Sequence, residues 1–169
     1  MAKPLILVVE DEIKTAENIV EILRKTGRYD AATAYNGIEA FEVLDKNNRF
    51  LGLAESKIKC IILDLKMPEM DGLQFIREFR KKEPFYKLMP IIILTAFEDE
   101  EKLNVTTHPS VGKAAAYLRK PFNRQELIDT VDRVFQEEIG HMIDETREKK
   151  YARLEELEKE KKNGSGEIQ

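Results

Sequence analysis

The stretch that decides the fold of this chain is CIILDLKMPEMDG, residues 60–72. It opens with a short apolar run, Cys60-Ile61-Ile62-Leu63, which is typical of a strand covered on both faces, as in a parallel sheet. The carboxylate of Asp64 follows directly, and a lone charge at the end of a buried strand is costly unless other groups compensate it. The stretch therefore predicts a buried strand that ends at a candidate functional residue.

Similar runs occur on both sides of this stretch, with helix-period segments between them. The predicted strands are Leu5–Val9, Tyr29–Ala34, Ile58–Leu63, Ile91–Leu94 and Ala114–Leu118. Because the run at 29–34 is the weakest, we expect it to form an edge strand. Strand and helix alternate five times, which is the signature of an α/β fold with a parallel sheet wound by right-handed crossovers.

Helix boundaries are marked by capping signals. Three pairs resemble an N-cap residue followed by a reciprocal partner three positions later: Asn36 with Glu39, Asp71 with Gln74, and Asn123 with Glu126. They predict helices that begin near Gly37, Gly72 and Arg124, and they make Asp71 a cap rather than a ligand. A first helix, ending at Gly27, is predicted from one apolar stripe: Ile13, Ala16, Ile19, Val20 and Leu23.

Polar residues follow four of the predicted strands. They are Glu10 with Asp11, Asp64, Thr95 and Lys120, and wound parallel sheets bind ligands at the carboxyl ends of their strands. Three converging carboxylates cannot all stay ionised unaided, and hard oxygen ligands favour Mg²⁺. The positive charge of the lysine could bind a phosphoryl oxygen, and the threonine offers a hydroxyl of the same reach. A carboxylate nucleophile, a metal and an electrophilic clamp are the parts that phosphoryl transfer requires.

The carboxylates and the threonine also have purely structural interpretations. Glu10 and Asp11 suit the first turn of a helix, where the dipole favours acidic side chains. Asp64 is compatible with a strand-end cap, and Thr95 with an ordinary strand residue. The single cysteine, Cys60, is interpreted as a buried core thiol. We prefer the functional interpretation because the topology predicts that the four strand ends meet.

Four segments, in order and at suitable spacing, resemble the receiver domain of two-component response regulators. They are Val8–Glu12, Leu63–Gly72, Leu94–Ala96 and Tyr117–Phe122. The resemblance covers residues 4–138. It implies a flavodoxin-like (βα)5 doubly wound parallel sheet with strand order 2-1-3-4-5, followed here by an extended C-terminal helix.

The resemblance also implies an acceptor and a metal site. Asp64 would accept a phosphoryl group from the phosphohistidine of a kinase. Mg²⁺ would be bound by the carboxylates of Asp11 and Asp64, by the backbone carbonyl of Lys66, and by Glu10 through water. Glu10 stands where the family more often has aspartate, and its extra methylene keeps the charge.

The phosphoryl oxygens would be held by Lys120, by the Thr95 hydroxyl and by the backbone N–H of Ala96. Thr95 and Tyr117 would form a switch pair, in which the hydroxyl moves toward the phosphate and the ring turns into the space it leaves. A simple core position remains the alternative for Tyr117. The Lys120–Pro121 peptide bond would be cis, as proline readily permits.

Two further positions bear on the lifetime of the phosphorylated form. Lys66 lies two residues after Asp64, and Phe97 lies two residues after Thr95. In this family, these positions flank the path of the attacking water. We expect a long basic chain and an apolar ring there to slow phosphoryl loss.

The part of the chain after Thr95 departs from the family pattern. The segment from Thr95 to Lys120 is longer than usual, and over residues 98–113 we predict a short helix followed by an irregular loop, with His108 at the surface. The family's usual output surface, its fourth helix and fifth strand, is therefore not expected to be a standard docking face. Residues 139–162 are predicted to form a charged helical extension, and residues 163–169 a flexible tail. The extension has two open interpretations: a helix whose charged face is solvated, or an element through which two copies dimerise.

Composition bounds the remaining possibilities. The 169 residues fit one domain with an appendage, and the net charge of -4 gives no electrostatic case for nucleic acid. No stretch approaches the roughly 20 apolar residues that cross a bilayer. The N-terminus passes directly into a predicted strand, which leaves no room for a signal peptide. We expect a cytoplasmic protein that binds neither nucleic acid nor membranes.

The predicted function is that of a receiver that switches a partner protein and carries no effector domain of its own. Its expected partners are a sensor histidine kinase or phosphotransfer protein, an unknown downstream protein, and in one version a second copy of itself. It is not expected to be an enzyme beyond its own phosphorylation and dephosphorylation. Two alternatives are an interaction module that is never phosphorylated and the N-terminal receiver of a longer effector protein.

Overall fold

The computed structural model describes residues 2–47, 57–82, 89–96 and 115–136. Within these residues, five parallel strands form one sheet in the order β2-β1-β3-β4-β5. The strands are β1 (Leu5–Val9), β2 (Asp30–Ala34), β3 (Ile58–Asp64), β4 (Ile91–Thr95) and β5 (Ala116–Arg119). The predicted strand order is confirmed, and so is the edge position of β2. The last strand begins two residues later than predicted.

Four helices are described: α1 (Ile13–Lys25), α2 (Gly37–Asn47), α3 (Gly72–Lys82) and α4 (124–136). The last three begin where the capping signals placed them. The Asn123 side chain accepts a hydrogen bond from the N–H of Glu126 at 2.9 Å, and the Glu126 carboxylate accepts one from the N–H of Asn123 at 2.8 Å. This reciprocal pair satisfies two N–H groups that the first turn of α4 leaves without helical partners.

The apolar stripe of α1 is mostly confirmed, with one error at its N-terminus. Ala16, Ile19, Val20 and Leu23 are buried, but Ile13 is 55% exposed. Periodicity places Ile13 on the same face as the others, yet it cannot show whether neighbouring elements extend far enough to cover the first turn. Gly27 has a φ of 72°, the left-handed conformation expected of a residue that ends a helix.

The three central strands carry the core. In β1, β3 and β4, almost every side chain is buried, which explains why these strands appear in the sequence as continuous apolar runs rather than alternating ones. Cys60 is fully buried in β3, so its interpretation as a core thiol is confirmed. Between α2 and α3, Phe75 packs against Phe41 and Phe79, with ring centroids 4.9 and 5.5 Å away. This core gives the carboxyl ends of the strands a rigid base.

The outer edge of β2 is covered by a side chain from α1. The N–H of Asp30 bonds to Pro4 on the β1 side, so the backbone groups of the next residue, Ala31, point to the free edge. There the Arg24 guanidinium donates to the Ala31 carbonyl at 2.7 Å and to the Asp30 carboxylate at 3.0 Å. A charged side chain on an edge strand hinders pairing with another chain.

The chain divides into two units, Met1–Val131 and Asp132–Gln169. Several predictions fall outside the described residues: the short helix and loop over 98–113 with His108, the helical extension 139–162 and the tail 163–169. The predicted domain boundary at residue 138 also lies beyond them and stays a prediction. Among the described residues, no helix combines the length and the apolar character needed to cross a membrane.

Candidate functional site

The three predicted carboxylates meet at the carboxyl edge of the sheet. Val9, the last residue of β1, is in register with Leu63 of β3, so the residues that follow, Glu10 and Asp64, stand side by side. One carboxylate oxygen from each of Glu10, Asp11 and Asp64 lies within 4.8 Å of the other two. Glu10 is 1% exposed and Asp64 6% exposed, whereas Asp11 is exposed to solvent.

Lys120 joins two of these carboxylates. Its Nζ lies 2.6 Å from Oε2 of Glu10 and 3.1 Å from Oδ2 of Asp64. The backbone N–H of Lys120 donates to the carbonyl of Thr95 at 2.7 Å, which fixes the start of the lysine side chain at the end of β4. The Lys120–Pro121 peptide bond is cis, as predicted.

Burial and charge shift the pKa values of the two closest groups. Burial raises the pKa of Glu10 above its ordinary value; the nearby charge of Asp64 adds to the rise, and the hydrogen bond from Lys120 opposes it. For Lys120, burial acts to lower the pKa. The hydrogen bond to Glu10 and the attraction of Asp64 outweigh burial, so the net pKa of Lys120 is raised. The ammonium group therefore stays protonated at neutral pH.

Backbone groups hold the other oxygens of the cluster. Oδ1 of Asp64 accepts a hydrogen bond from the N–H of Lys66, and Oε1 of Glu10 accepts one from the N–H of Glu12, both at 3.3 Å. Each carboxylate is thus oriented from both sides, by a backbone N–H and by the lysine. Main-chain donors cost no side-chain entropy and fix the direction in which the oxygens point.

Thr95 and its neighbour reach the same edge from β4. Leu94 is in register with Asp64, and the buried Thr95 follows it as the last residue of the strand. Ala96 comes next, at the start of the loop. The predicted phosphoryl-binding groups are therefore placed at the end of the strand beside Asp64.

Tyr117 lies in β5, in register with Ile93, and is 38% exposed. The alternative that placed its ring in the core is wrong. β5 is an edge strand whose side chains are alternately buried and exposed, and Tyr117 is one of the exposed ones.

The segment after Asp64 leads to a glycine for which the sequence predicted only the start of a helix. Asp71 caps α3, accepting a hydrogen bond from the N–H of Gln74 at 2.8 Å, as predicted. The next residue, Gly72, packs directly on the main chain of β3. Most residues are tolerated at the first position of a helix. A glycine there is therefore the signal that could have identified this close contact from the sequence.

A divalent cation fits this donor set. The three carboxylates carry a formal charge of −3, and the ammonium group of Lys120 reduces it to −2. All three donors are hard oxygen atoms, of which two are buried and one faces solvent. Mg²⁺ prefers such ligands and retains several waters, which suits a cluster that is open on one side.

Comparison with known families agrees with the geometry. The family model described as the response regulator receiver domain matches residues 6–132. The chain belongs to this family. The motif resemblance is thereby confirmed, and the flavodoxin-like expectation agrees with the observed strand order.

Relatives of this receiver domain include short and long proteins. A chemotaxis protein CheY homolog of Campylobacter jejuni is 33% identical over 129 residues, which are 76% of this chain and 90% of the relative. The transcriptional regulatory protein CrdR of Helicobacter pylori is 31% identical over 134 residues, 79% of this chain but 55% of the relative. Against this regulator, the chain therefore spans about half the length.

Among solved structures, the chemotaxis protein CheY4 of Vibrio cholerae matches with a TM-score of 0.66 and 32% identity. The match covers 79% of this chain and 99% of that chain. The similarity therefore extends over nearly the whole of that chain.

Proposed function

We propose that this receiver domain accepts a phosphoryl group on Asp64 and signals through protein contacts. One observation carries the proposal: the Lys120 ammonium bridges Glu10 and Asp64 at 2.6 and 3.1 Å, in a cluster that a third carboxylate completes. If Lys120 served only to neutralise the two buried carboxylates, there would be no need for a third carboxylate, the exposed Asp11, beside them. A cation site next to a nucleophilic carboxylate does require such a ligand.

Mg²⁺ would be held by the carboxylates of Asp11 and Asp64, by the backbone carbonyl of Lys66, and by Glu10 through water. When bound, the cation neutralises the carboxylates and polarises an oxygen of the phosphoryl group. Lys66 is well placed for this role because its N–H already bonds to Asp64 Oδ1, which brings its main chain to the cluster.

The residues of the chain perform the transfer as follows. A carboxylate oxygen of Asp64 attacks the phosphorus of the donor, a new P–O bond forms, and the bond from phosphorus to the leaving group breaks. The positive charge of Lys120 stabilises the phosphoryl oxygens, together with the Thr95 hydroxyl and the Ala96 N–H. The product is an acyl phosphate at the end of β3.

The donor would be a phosphohistidine of a sensor kinase or phosphotransfer protein. Phosphorylation would draw the Thr95 hydroxyl toward the phosphate, and the half-exposed ring of Tyr117 would respond and change the surface around β5. A downstream protein, or a second copy of the chain, would bind that altered surface. The protein would catalyse only its own phosphorylation and dephosphorylation.

The test is labelling with acetyl phosphate, read by intact-protein mass spectrometry. We expect a mass increase of one phosphoryl group that requires Mg²⁺ and is absent in Asp64→Asn. Asp45→Asn, an exposed aspartate of α2 that pairs with Lys82 at 3.8 Å, is the matched control and should be labelled like the parent. A folded parent protein that binds Mg²⁺ without being labelled would contradict the proposal and favour a phosphorylation-independent interaction module.

A further inference from the structure

Gly72, the first residue of α3, lies against the main chain of the strand that carries the acceptor. A Cβ atom at this position would stand 2.4 Å from the carbonyl oxygen of Asp64 and 2.8 Å from Cα of Leu65. Ordinary van der Waals contact begins at 3.4 Å. Because both neighbours are main-chain atoms, no side-chain rotation can make room for a methyl group.

The same glycine closes the loop that follows the acceptor. Its N–H donates to the carbonyl of Leu65 at 3.0 Å, so the start of α3 is tied to the residue next to Asp64. Inside the loop, Glu69 has a φ of 63°, an uncommon value for a residue with a side chain. The loop is therefore a tight connection with little freedom to absorb a displacement of the helix.

The carboxylate of Asp64 is held to a narrow position by its neighbours. Oδ2 lies 3.1 Å from Nζ of Lys120, and Oδ1 lies 3.3 Å from the N–H of Lys66. A shift of the Asp64 main chain changes both distances and also its spacing to Glu10 and Asp11. Hydrogen bonds weaken steeply when their geometry departs from the optimum.

We propose that Gly72 is a positioning residue for the acceptor carboxylate. By carrying no side chain, it lets α3 rest directly on the Asp64–Leu65 peptide and so sets where the carboxylate stands relative to Lys120. The inference rests on the proposed phosphoacceptor function. Relieving the contact of a Gly72→Ala side chain requires about 1 Å of displacement, and a misplacement of that size can lower a reaction rate by roughly 100-fold.

The chain offers a closely matched control at Gly37. This residue is the first of α2 and follows the cap residue Asn36, as Gly72 follows Asp71 in α3. A Cβ atom at Gly37 would meet Cγ and Sδ of Met70 at 2.7 Å, which rotation of this flexible side chain relieves, and Cβ of Met70 at 3.0 Å, which a shift of a few tenths of an ångström relieves. Met70 lies in the loop between Asp64 and Gly72, so Gly37→Ala makes the same chemical change but touches that loop only through a side chain, whereas Gly72→Ala presses on the main chain of the acceptor strand.

The experiment measures the rate of labelling by acetyl phosphate and the dissociation constant of Mg²⁺ for the parent, Gly72→Ala and Gly37→Ala. Urea unfolding gives the folded fraction of each, and all rates are expressed per folded molecule. We expect Gly72→Ala to be labelled roughly 10- to 100-fold more slowly than the parent and to bind Mg²⁺ more weakly. Gly37→Ala should match the parent within about twofold, since binding energy and positioning at the site are unchanged.

Labelling is repeated in sucrose, which restores a destabilised fold but does not move a displaced carboxylate. A Gly72→Ala protein whose labelling recovers in sucrose, or equals that of Gly37→Ala per folded molecule, overturns the inference. So does a Gly72→Ala chain that does not fold under any of these conditions, because Gly72 would then act on stability alone.

The outcomes separate this inference from the proposed function. A parent protein that binds Mg²⁺ without being labelled contradicts the proposed function, while a selective loss of Mg²⁺ affinity in Gly72→Ala still supports the positioning role. A parent that is labelled at the same rate as both variants contradicts only the positioning role. A parent that shows neither Mg²⁺ binding nor labelling contradicts both.

Discussion

Replacing Asp11 by asparagine should stabilise the protein when Mg²⁺ is absent. Asp11 supplies one of three carboxylate oxygens that lie within 4.8 Å of one another. Its charge is repelled by the two other carboxylates and attracted by one ammonium group, so its removal relieves a net repulsion of about one charge pair. The asparagine keeps the shape of the side chain and removes only this charge.

The magnitude follows from Coulomb's law at 4.8 Å, the largest separation that the three oxygen atoms have. At 4.8 Å, one pair of unit charges interacts by about 0.9 kcal/mol in a water-like medium and by about 3.5 kcal/mol at an effective dielectric constant of 20. Because Asp11 is exposed, the value should fall in the lower part of this range. We expect a gain of about 1–2 kcal/mol in the free energy of unfolding.

The assay is urea unfolding followed by circular dichroism, since the chain has no tryptophan to report by fluorescence. The parent and Asp11→Asn are compared with a chelator and then with saturating Mg²⁺. At 100 times its dissociation constant, Mg²⁺ should stabilise the parent by about 2.7 kcal/mol, and Asp11→Asn should lose most of this gain.

Asp45→Asn, remote from the cluster, should change stability by less than about 0.5 kcal/mol in both conditions. An Asp11→Asn protein that is no more stable than the parent in chelator would refute the electrostatic argument. One that gains as much from Mg²⁺ as the parent would refute the ligand assignment.

Three further outcomes are expected. Asn123→Ala should lower the free energy of unfolding by about 1 kcal/mol in urea titrations, because α4 loses its cap, and Asn123→Ser should retain most of it. Arg24→Ala should increase self-association in light scattering, because it uncovers the outer edge of β2; an unchanged monomer at high concentration would show that the guanidinium does not protect the edge. The double variant Lys66→Asn, Phe97→Glu should lose its phosphoryl group faster than the parent after acetyl phosphate is removed, and equal decay rates would contradict the shielding role of these side chains.

Local features of the sequence were enough for most of the fold. The buried strands appear as continuous apolar runs, and the start of α4 is marked by a capping pair that forms in both directions. Strand order and the identity of the polar strand ends followed from the motif resemblance and from the rule that parallel strands bring their carboxyl ends to one edge. Each of these features depends on a few neighbouring residues, so it can be predicted from the sequence without knowing which distant elements pack together.

Errors arose where the environment of a side chain depends on distant elements. Ile13 belongs to the apolar stripe of α1 but is exposed, and the core alternative for Tyr117 was wrong. In both cases, the periodicity indicates a face without showing whether another element covers it. The coverage depends on how far neighbouring elements extend, which no local pattern contains.

The sequence by itself determined which residue types stand at the strand ends, and hence that carboxylates, a hydroxyl and an amine would share one edge. Only the tertiary structure decided how they are arranged. Lys120 reaches Glu10 across 110 positions of the chain and Asp64 across 56, and it divides its hydrogen bonds between them. Gly72 became significant only when α3 was seen to rest on the main chain of β3. Distances of this kind arise from the packing of whole elements, since close packing fixes positions that residue types alone leave open.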